Sequence, residues 1–529
     1  MHGFPVVLTA DKTVMNRYGG SLFYGFIVTA PRRAAWYLSP EKLLKFILLN
    51  PPCDESGRAV IAPQGLRRVE AALLDSGVVS PGDLIVAVPH RLRDVIGSET
   101  KIIGVNVVDP LGMGPASTTL SGPYGLIHDE ANNAYHFRKL VTSRVIQEAR
   151  KNGAYLVVGG PGAWQLTPQK MEEYGIDMVV IGEAELVFPE IVRRILNGES
   201  LETPLIVNIP PTQYPSTDQI PLLRGATVGG VVEVSRGCGR GCRFCTPTLR
   251  KLRHRKLEDI IHDVKVNVEN GQTSICLHAE DILQYGSYTF RVEHGKVTKL
   301  FQEVRAVEGI KSIGVSHAAL SSIAANPHTV EAISEILELD YRHWMGFQTG
   351  IETGSPRLME RHMRMKPYPF TPQEWPDVVE RAFAISVDNG WVPCATLIIN
   401  LPGETPDDII KTTELVERLS SYRSFITPLL YVPMGDQMEA SKAMRFLEDA
   451  EWYHLELYRA IWRHNIKWMK ELAWDYSKGS SPPAKFAVRT LVRVITWIVN
   501  RKAEKFFEEE LSKRKAATPA LKVSVPIPA

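Results

Sequence analysis

The sequence predicts an α/β protein with two α/β domains followed by a helical carboxyl-terminal region. Short apolar runs alternate with amphipathic stretches over residues 1–198 and again over 231–433, which is typical of parallel strands covered by helices. Residues 199–230 are rich in proline and have little periodicity, so they are predicted to be a linker. The pattern over 434–529 is helical. A chain of 529 residues, 44% of them hydrophobic, can fill several cores.

The first domain is predicted to be a doubly wound, Rossmann-like sheet with an amino-terminal extension. Helical patterns at 137–151 and 184–196 lie between apolar runs. Such sheets bind ligands beyond the carboxyl ends of their strands, and two glycine-containing loops, 159–162 and 182–185, follow predicted strands. They could equally be ordinary tight turns. The five predicted strands are 59–62, 84–88, 102–108, 155–158 and 178–181.

Composition excludes some classes of function. The net charge of +2 gives no excess of Lys and Arg that would neutralise nucleic-acid phosphates. Three of the six cysteines are scattered singly, which indicates a reducing compartment rather than a disulfide framework. No signal peptide and no apolar run long enough to span a bilayer are visible. We therefore expect a cytoplasmic protein, or one on the cytoplasmic face of a membrane.

The other three cysteines, Cys238, Cys242 and Cys245, form a C-x3-C-x2-C motif directly after the apolar run 231–234. Thiolates are the soft ligands that hold iron–sulfur clusters, and a four-iron cluster normally takes four of them. Three thiolates leave one iron open. The alternative is a closed Cys3His zinc site with His254 as the fourth ligand. Zinc ligands usually come as two separated pairs, so the spacing favours iron.

This motif resembles that of the radical S-adenosylmethionine (SAM) enzymes. The resemblance implies a four-iron, four-sulfur cluster whose open iron binds SAM, and an electron donor such as ferredoxin or flavodoxin. Cleavage of SAM would then release a 5′-deoxyadenosyl radical that attacks an unreactive C–H bond. It also implies that residues 231–433 form a whole or partial (βα) barrel with the cluster loop after its first strand.

Further segments extend the resemblance and imply cofactor-binding residues. Phe244 precedes the last cysteine, where the family places an aromatic residue near the adenine. Glu280 follows the second predicted strand, 274–277, where the family has a G-G-E motif whose Glu contacts the SAM amino group; here the two glycines are replaced. The segment G-I-E-T-G-S, residues 350–355, matches the family segment that reaches the ribose, which implies roles for Glu352 and Ser355.

Other residues of this region have less specific expectations. Three arginines downstream of that segment could pair with the SAM carboxylate, and Glu404 lies in a turn that matches the family. Each glutamate could instead be a capping or surface carboxylate. Lone histidines such as His317 and His343 are predicted to be structural. The three arginines are Arg357, Arg361 and Arg364.

The first domain resembles the cobalamin-binding domain that precedes the barrel in one large class of radical SAM enzymes. The resemblance covers residues from about 55 to 198 and implies that Gly159, Gly160 and Gly182 face cobalamin. The D-x-H-x-x-G motif that supplies a lower cobalt ligand in related proteins is absent, so no cobalt ligand is assigned.

The carboxyl-terminal region is predicted to be a helical cap on the barrel, or a segment that lies in a membrane interface. It contains five tryptophans, and residues 486–500 form an apolar helix with one polar stripe of Arg489, Arg493, Thr496 and Asn500. Residues 485–515 contain nine basic and four acidic residues, a local charge of +5, which favours anionic lipid. The five tryptophans are Trp452, Trp462, Trp468, Trp474 and Trp497.

Three hypotheses about function follow. In the first, the chain resembles archaeal radical SAM enzymes that join carbons of isoprenoid tetraether lipids into rings, and its substrate is a membrane lipid. In the second, it is a cobalamin-dependent radical SAM C-methyltransferase that acts on a peptide or a small metabolite. In the third, it is no enzyme but a zinc-bearing interaction protein with a lipid-binding tail.

Overall fold

The computed structural model describes residues 2–16, 28–33, 49–246, 250–434, 439, 441–476 and 482–517. The side chains of residues 473–476 and of several residues within 482–495 lie outside this description. The predicted order holds along the chain: a parallel sheet, a second α/β region and a helical end.

The first domain contains a parallel sheet of six strands in the order β3-β1-β4-β5-β6-β7. Apolar residues fill two cores on opposite faces of this sheet, which confirms a doubly wound domain. The strands of residues 2–230 are β1 Val6–Ala10, β2 Ile61–Ala62, β3 Leu84–Val86, β4 Ile102–Asn106, β5 Tyr155–Gly159, β6 Met178–Ile181, β7 Leu205–Asn208 and β8 Ala226–Thr227.

Two of these strands differ from the sequence-based expectation. β1 was not predicted, yet it lies between β3 and β4 with all five residues buried, as in parallel strands covered on both faces. β2, predicted to belong to the sheet, instead pairs with β8 outside it. The predicted linker 199–230 supplies both β8 and the edge strand β7.

Helices cover both faces of the sheet. The predicted helix 137–151 is two helices, because Ser143 adopts an extended conformation between them (φ −64°, ψ 145°). The predicted helix 184–196 begins at Phe188. The helices are α1 Gln64–Asp75, α2 Leu92–Val95, α3 Pro115–Leu120, α4 Asn132–Val141, α5 Arg144–Lys151, α6 Pro168–Tyr174 and α7 Phe188–Leu196.

The second α/β region is a partial barrel of parallel strands. One sheet has the order β13-β12-β9 and another the order β14-β15-β16. A parallel bridge between His317 and Gln348 joins them beyond the end of β13, so six strands curve around one interior. The strands are β9 Val231–Glu233, β10 Ser235–Arg236, β11 Arg253–His254, β12 Ser274–His278, β13 Ser312–Val315, β14 Met345–Glu352, β15 Trp391–Ile399 and β16 Phe425–Leu430.

Helices surround the outside of the barrel, and the two carboxyl-terminal helices pack on it. Leu455, Tyr458 and Ile461 of α15 and Phe507 and Leu511 of α16 belong to the same core as the barrel strands. The helices are α8 Leu257–Glu269, α9 His294–Arg305, α10 Leu320–Ala325, α11 Pro327–Ile336, α12 Pro356–Met363, α13 Trp375–Asp388, α14 Pro406–Arg418, α15 Trp452–Tyr476 and α16 Pro482–Ala517.

Part of the tail is thus a helical cap, as the first of the two expectations for it stated. In the part of the chain that is described, no helix has a run long and apolar enough to cross a membrane.

Candidate functional site

The three cysteines lie in a loop that leaves the first barrel strand, β9, at its carboxyl end. Gly237, Gly239 and Gly241 all have positive φ (77°, 76° and 72°). Residues with a side chain rarely adopt this backbone conformation, so the loop requires glycine at these alternate positions. A Cβ atom at Gly237 would lie 2.6 Å from the carbonyl oxygen of Arg250. The antiparallel pair β10–β11 holds the two ends of the loop together.

None of the three thiols is in a disulfide; Cys242 is buried, and Cys238 and Cys245 are half-buried. Burial raises the pKa of Cys238, and it raises the pKa of Cys242 to about 11. Lys366 is half-buried beside the loop, and its Nζ lies 2.8 Å from Oε1 of Glu352. Burial lowers the pKa of Lys366, but the Glu352 carboxylate and the Cys242 thiolate together raise it overall. Metal binding requires thiolates, so a cation beside them favours the ligating form.

His254 does not complete a metal site with the cysteines. Its Nε2 atom lies 2.9 Å from the carbonyl oxygen of Ser287, and its ring packs edge-on against Tyr285 and Tyr288. Among the residues described, no three His, Cys, Asp or Glu side chains are grouped to hold one metal ion. The geometry therefore gives no support to a Cys3His zinc site with His254.

Arg240, inside the cysteine loop, anchors that loop to the next two strand ends. Its guanidinium is buried and donates to Asp281 Oδ2 at 3.0 Å, to Ser322 Oγ at 3.0 Å and to Ser321 Oγ at 3.1 Å. Asp281 also accepts hydrogen bonds from Ser322 and from the backbone of Ala319. The sequence analysis assigned no role to Arg240 or Asp281, because an ion pair across 41 residues leaves no local pattern.

Glu352 occupies a strained position at the end of β14. Its φ is 63°, which is uncommon for a residue with a side chain and is often found at functional sites. The register of β14 with β15 shifts at this point. A Cβ atom at Gly350 would lie 1.8 Å from the Glu352 carboxylate, so only glycine leaves room for it. The segment G-I-E-T-G-S therefore presents this carboxylate beside Lys366.

The other predicted cofactor residues of the barrel, Phe244, Glu280 and Ser355, differ in their burial and in their contacts. Phe244 is half-buried against the barrel core. Glu280 is half-buried after the carboxyl end of β12. Ser355 is buried and caps α12, because it accepts from the Leu358 N–H and donates to Asp408 Oδ1 at 2.5 Å. Ser355 thus caps the amino-terminal end of α12, and its predicted contact with SAM stays a prediction.

Three arginines predicted as partners of the SAM carboxylate bind other groups. Arg357 pairs with Asp408, Arg361 with Glu439, and Arg364 with Glu360. Glu404 is half-buried in the turn after β15, where it accepts from the Asn400 N–H at 2.6 Å, and desolvation of its carboxyl group raises its pKa to about 8. This turn has a structural role in the geometry observed.

A cavity of about 610 Å³ separates the carboxyl edge of the first sheet from the barrel. Gly159, Gly160 and Gly182 line one side of it. A Cβ atom at Gly160 would lie 2.4 Å from the Val107 carbonyl, and one at Gly182 would lie 2.9 Å from Ile209, so both glycines are needed by the fold itself. A Cβ atom at Gly159 would meet nothing closer than 3.5 Å. The barrel side is lined by Glu233, Arg236, Thr246, Arg250 and His278.

A buried ion network joins the two domains beside this cavity. Arg236 pairs with Glu183 at 2.6 Å, Glu185 at 2.7 Å and Glu233 at 2.6 Å. Burial lowers the pKa of Arg236, but the carboxylates, Glu233 first, raise it overall. Both carboxylates of the loop 182–185, which was predicted to face a ligand, therefore bind the strand that leads into the cysteine loop.

A second part of the network lies deeper. Arg68 of the first domain donates to Asp263 Oδ2 of α8 at 2.5 Å, and their side chains are 2% and 0% exposed. Arg255 lies 3.7 Å from the same carboxylate. Removing one partner of a buried pair leaves an uncompensated charge and costs about 3 to 5 kcal/mol.

We expect Asp263→Ala to lower the thermal unfolding midpoint by several degrees, because Arg68 and Arg255 both lose their buried anion. Differential scanning fluorimetry measures this shift. Asp259→Ala is the matched control: it lies on the same helix, 21% exposed and 3.9 Å from Arg255, and should change the midpoint little. Equal shifts for the two variants would contradict this account of the network.

Two histidines meet inside the barrel next to the cavity. The rings of His278 and His317 are 6.0 Å apart, and His278 Nδ1 lies 2.9 Å from Ser316 Oγ. Burial lowers the pKa of His278, and it lowers that of His317 to about 4, so both rings are neutral near pH 7. His343, by contrast, is exposed and lies beside Asp340. The barrel interior therefore presents neutral polar groups toward the cavity.

Comparison with known proteins agrees with this geometry. Residues 232–416, which contain the cysteine loop and Glu352, match the Radical SAM superfamily. The protein is a radical SAM enzyme. Radical SAM enzymes use a four-iron, four-sulfur cluster and SAM, and the barrel with three thiols in one loop at its carboxyl rim fits that pair.

This radical SAM enzyme is similar to several curated proteins. It is 26% identical over 406 residues to an uncharacterized methyltransferase of Pyrococcus horikoshii, which covers 72% of this chain and 79% of that one. It is 28% identical over 235 residues to the ribosomal protein uS12 methylthiotransferase RimO of a Thermotoga species, covering 43% of this chain and 49% of RimO. The chain thus spans about half the length of that methylthiotransferase.

Among solved structures, the radical SAM enzyme resembles the radical SAM methyltransferase TsrM from Kitasatospora setae. One TsrM structure, with tryptophan and a SAM analogue bound, aligns with a TM-score of 0.52 at 14% identity over 82% of this chain and 75% of TsrM. Another TsrM structure has cobalamin and a [4Fe-4S] cluster bound. At this identity the likeness shows a shared fold, including the first domain.

Proposed function

We propose that this protein is a cobalamin-dependent radical SAM methyltransferase, in which Cys238, Cys242 and Cys245 hold the cluster. The observation that carries the proposal is the cavity of about 610 Å³, which reaches from the glycine-lined edge of the first sheet to the strand that enters the cysteine loop. A cofactor held in this cavity would lie next to Arg236 and Thr246, which flank the three cysteines. The similarity to a methyltransferase over 72% of the chain supports the same reaction.

The fit of cobalamin rests on backbone rather than on a cobalt ligand. Gly159, Gly160 and Gly182 at adjacent strand ends leave the cavity wall without side chains, so a large planar ring can approach the main chain. The TsrM structure with cobalamin bound has the same fold, which supports this use of the first domain. When bound, the cluster and SAM supply a carbon radical and cobalamin supplies a methyl group.

The residues of the chain would bind and orient the cofactors and shield them from water. Arg240 and Asp281 fix the cysteine loop against the ends of β12 and α10. We assign Glu352, held by Gly350 and Lys366, to the ribose hydroxyls of SAM, and Glu280 to its amino group, because a buried ammonium requires a carboxylate. Phe244 would pack near the adenine. His278 lines the cavity and would meet the substrate as a neutral hydrogen-bonding group.

Ring formation in a tetraether lipid was the first hypothesis from the sequence, and the comparisons do not support it. The similar proteins named above carry out methyl or methylthio transfer according to their names. Polar side chains such as Thr246, Arg250 and His278 also line the cavity, and an apolar isoprenoid chain would offer them no hydrogen bond. A polar peptide or metabolite suits this interior better.

We expect deuterated methyl groups from SAM to appear on a carbon atom of one peptide or metabolite. Cells that contain the gene and a deletion strain are fed methionine with a CD3 group, and extracts are compared by mass spectrometry. A product carrying the CD3 group should be absent from the deletion strain. If the deletion strain instead lacks a ring in its lipids but still contains every methylated compound of the wild type, the methyltransferase proposal is wrong.

A further inference from the structure

The last helix, α16, packs against α15 at the carboxyl-terminal end of its polar stripe. Thr496 is only 4% exposed, and Asn500 accepts a hydrogen bond from Trp462 Nε1 of α15 at 2.9 Å. Further along, Glu504 accepts from Arg459 and Arg463 of α15. This hydrogen bond and these ion pairs hold α15 and α16 together.

The apolar side chains of the same segment face outward. Phe486 is 74% exposed, Trp497 62%, Val494 48% and Ile498 41%. On a helix at the surface of a globular protein the apolar side normally faces the core and the polar side faces water. Between residues 486 and 498 all four apolar side chains that the structure describes are exposed, whereas of the polar ones Thr496 is buried, Arg489 is half-buried and Thr490 and Arg493 are exposed. We call Phe486, Val494, Trp497 and Ile498 the outer face of α16.

Basic residues surround this outer face. Arg493, Arg501, Lys502 and Lys505 are exposed within the same stretch. The guanidinium of Arg501 lies 5.8 Å from the centre of the Trp497 ring. Residues 486–506 contain five basic residues and one acidic residue, Glu504, which already pairs with Arg459 and Arg463. The charge around the outer face is therefore positive.

We propose that the outer face of α16 docks in the interface of an anionic lipid membrane. Aromatic and aliphatic side chains next to arginine and lysine suit the boundary between acyl chains and anionic headgroups. A second copy of this chain would bring the same positive charges together, so charge favours lipid over self-association. This inference goes beyond the proposed reaction and does not depend on it.

Sedimentation of the full-length protein with lipid vesicles tests this proposal. The protein should bind vesicles of equal parts phosphatidylcholine and phosphatidylglycerol, bind pure phosphatidylcholine more weakly, and lose binding as salt is raised. Trp497→Gln combined with Ile498→Gln should abolish sedimentation, and Arg501→Glu combined with Lys505→Glu should weaken it at least about tenfold. Ile410→Gln, an exposed apolar residue on α14, is the matched control and should bind like the wild type.

Three results would overturn the proposal. The first is undiminished vesicle binding by the Trp497/Ile498 variant. The second is equal binding to neutral and anionic vesicles at every salt concentration. The third is a dimer by light scattering that becomes a monomer in this variant, without binding of the wild type to vesicles, which would assign the outer face to a second copy. Unchanged circular dichroism and SAM cleavage in the variants exclude unfolding and keep this test separate from that of the reaction.

Discussion

Replacing Cys238, Cys242 and Cys245 together with alanine should abolish both iron binding and the formation of 5′-deoxyadenosine from SAM. The three thiols lie in one loop at the carboxyl rim of the barrel, and iron–sulfur clusters are held by thiolates. Without them no open iron is available to bind SAM. Anaerobic reconstitution, iron analysis and chromatography of the nucleoside product measure the two losses.

Each single replacement should give nearly the same result as the triple one, because residues that hold one cofactor act as a unit. Cys53→Ala is the matched control, since Cys53 is also a free, half-buried thiol but lies in the first domain. It should retain full iron content and full activity. Iron and SAM cleavage that persist in the triple variant would show that the loop does not hold the cluster.

Gly159→Trp should prevent cobalamin binding while leaving the cluster and SAM cleavage intact. Gly159 lines the cavity, its φ is in the normal range for a strand, and a Cβ atom there meets only ordinary contacts at 3.5 Å and beyond. An indole would therefore fill the cavity without breaking the sheet. Cobalamin is measured by its absorbance after reconstitution and gel filtration, and methyl transfer should fall with it.

The choice of Gly159 over its neighbours follows from the backbone. Gly160 has φ 121° and would place a Cβ atom 2.4 Å from the Val107 carbonyl, so any side chain there would damage the fold as well as the cavity. Gly159→Ala is the control, because the methyl group that it adds would meet only ordinary van der Waals contacts. This variant should still bind cobalamin. Wild-type protein that takes up no cobalamin would reduce the first domain to a structural role.

Local patterns in the sequence were enough to predict the cluster loop and the strand that precedes it. Ligand spacing and the three glycines between 237 and 241 lie within a few residues, so they fix a turn geometry without reference to the rest of the chain. The same holds for the strands ending near Glu280 and Glu352, whose apolar runs and turns are local. The enzyme class followed from these residues.

Long-range contacts decided the remaining features. The central strand β1 pairs with β3, about 80 residues away. The sequence of an apolar run does not indicate which other strands it will pair with. Nothing in the local sequence distinguishes Arg236 and Arg240 from surface arginines. In the fold, both are largely inaccessible to solvent and form ion pairs with carboxylates from distant loops. Hydrogen bonds and ion pairs between remote segments have no periodicity, so only the tertiary structure reveals them.

The last helix, α16, shows most clearly which features the sequence determines and which the tertiary structure determines. The sequence by itself determined that residues 486–500 form an apolar helix with one polar stripe, because helical periodicity is local. Which side of that helix meets the protein depended on contacts with α15: Trp462 binds Asn500 of the stripe, Arg459 and Arg463 bind Glu504 one turn further on, and Trp497 is left exposed. The free energy of satisfying buried polar groups across two helices set this orientation, and no local pattern encodes it.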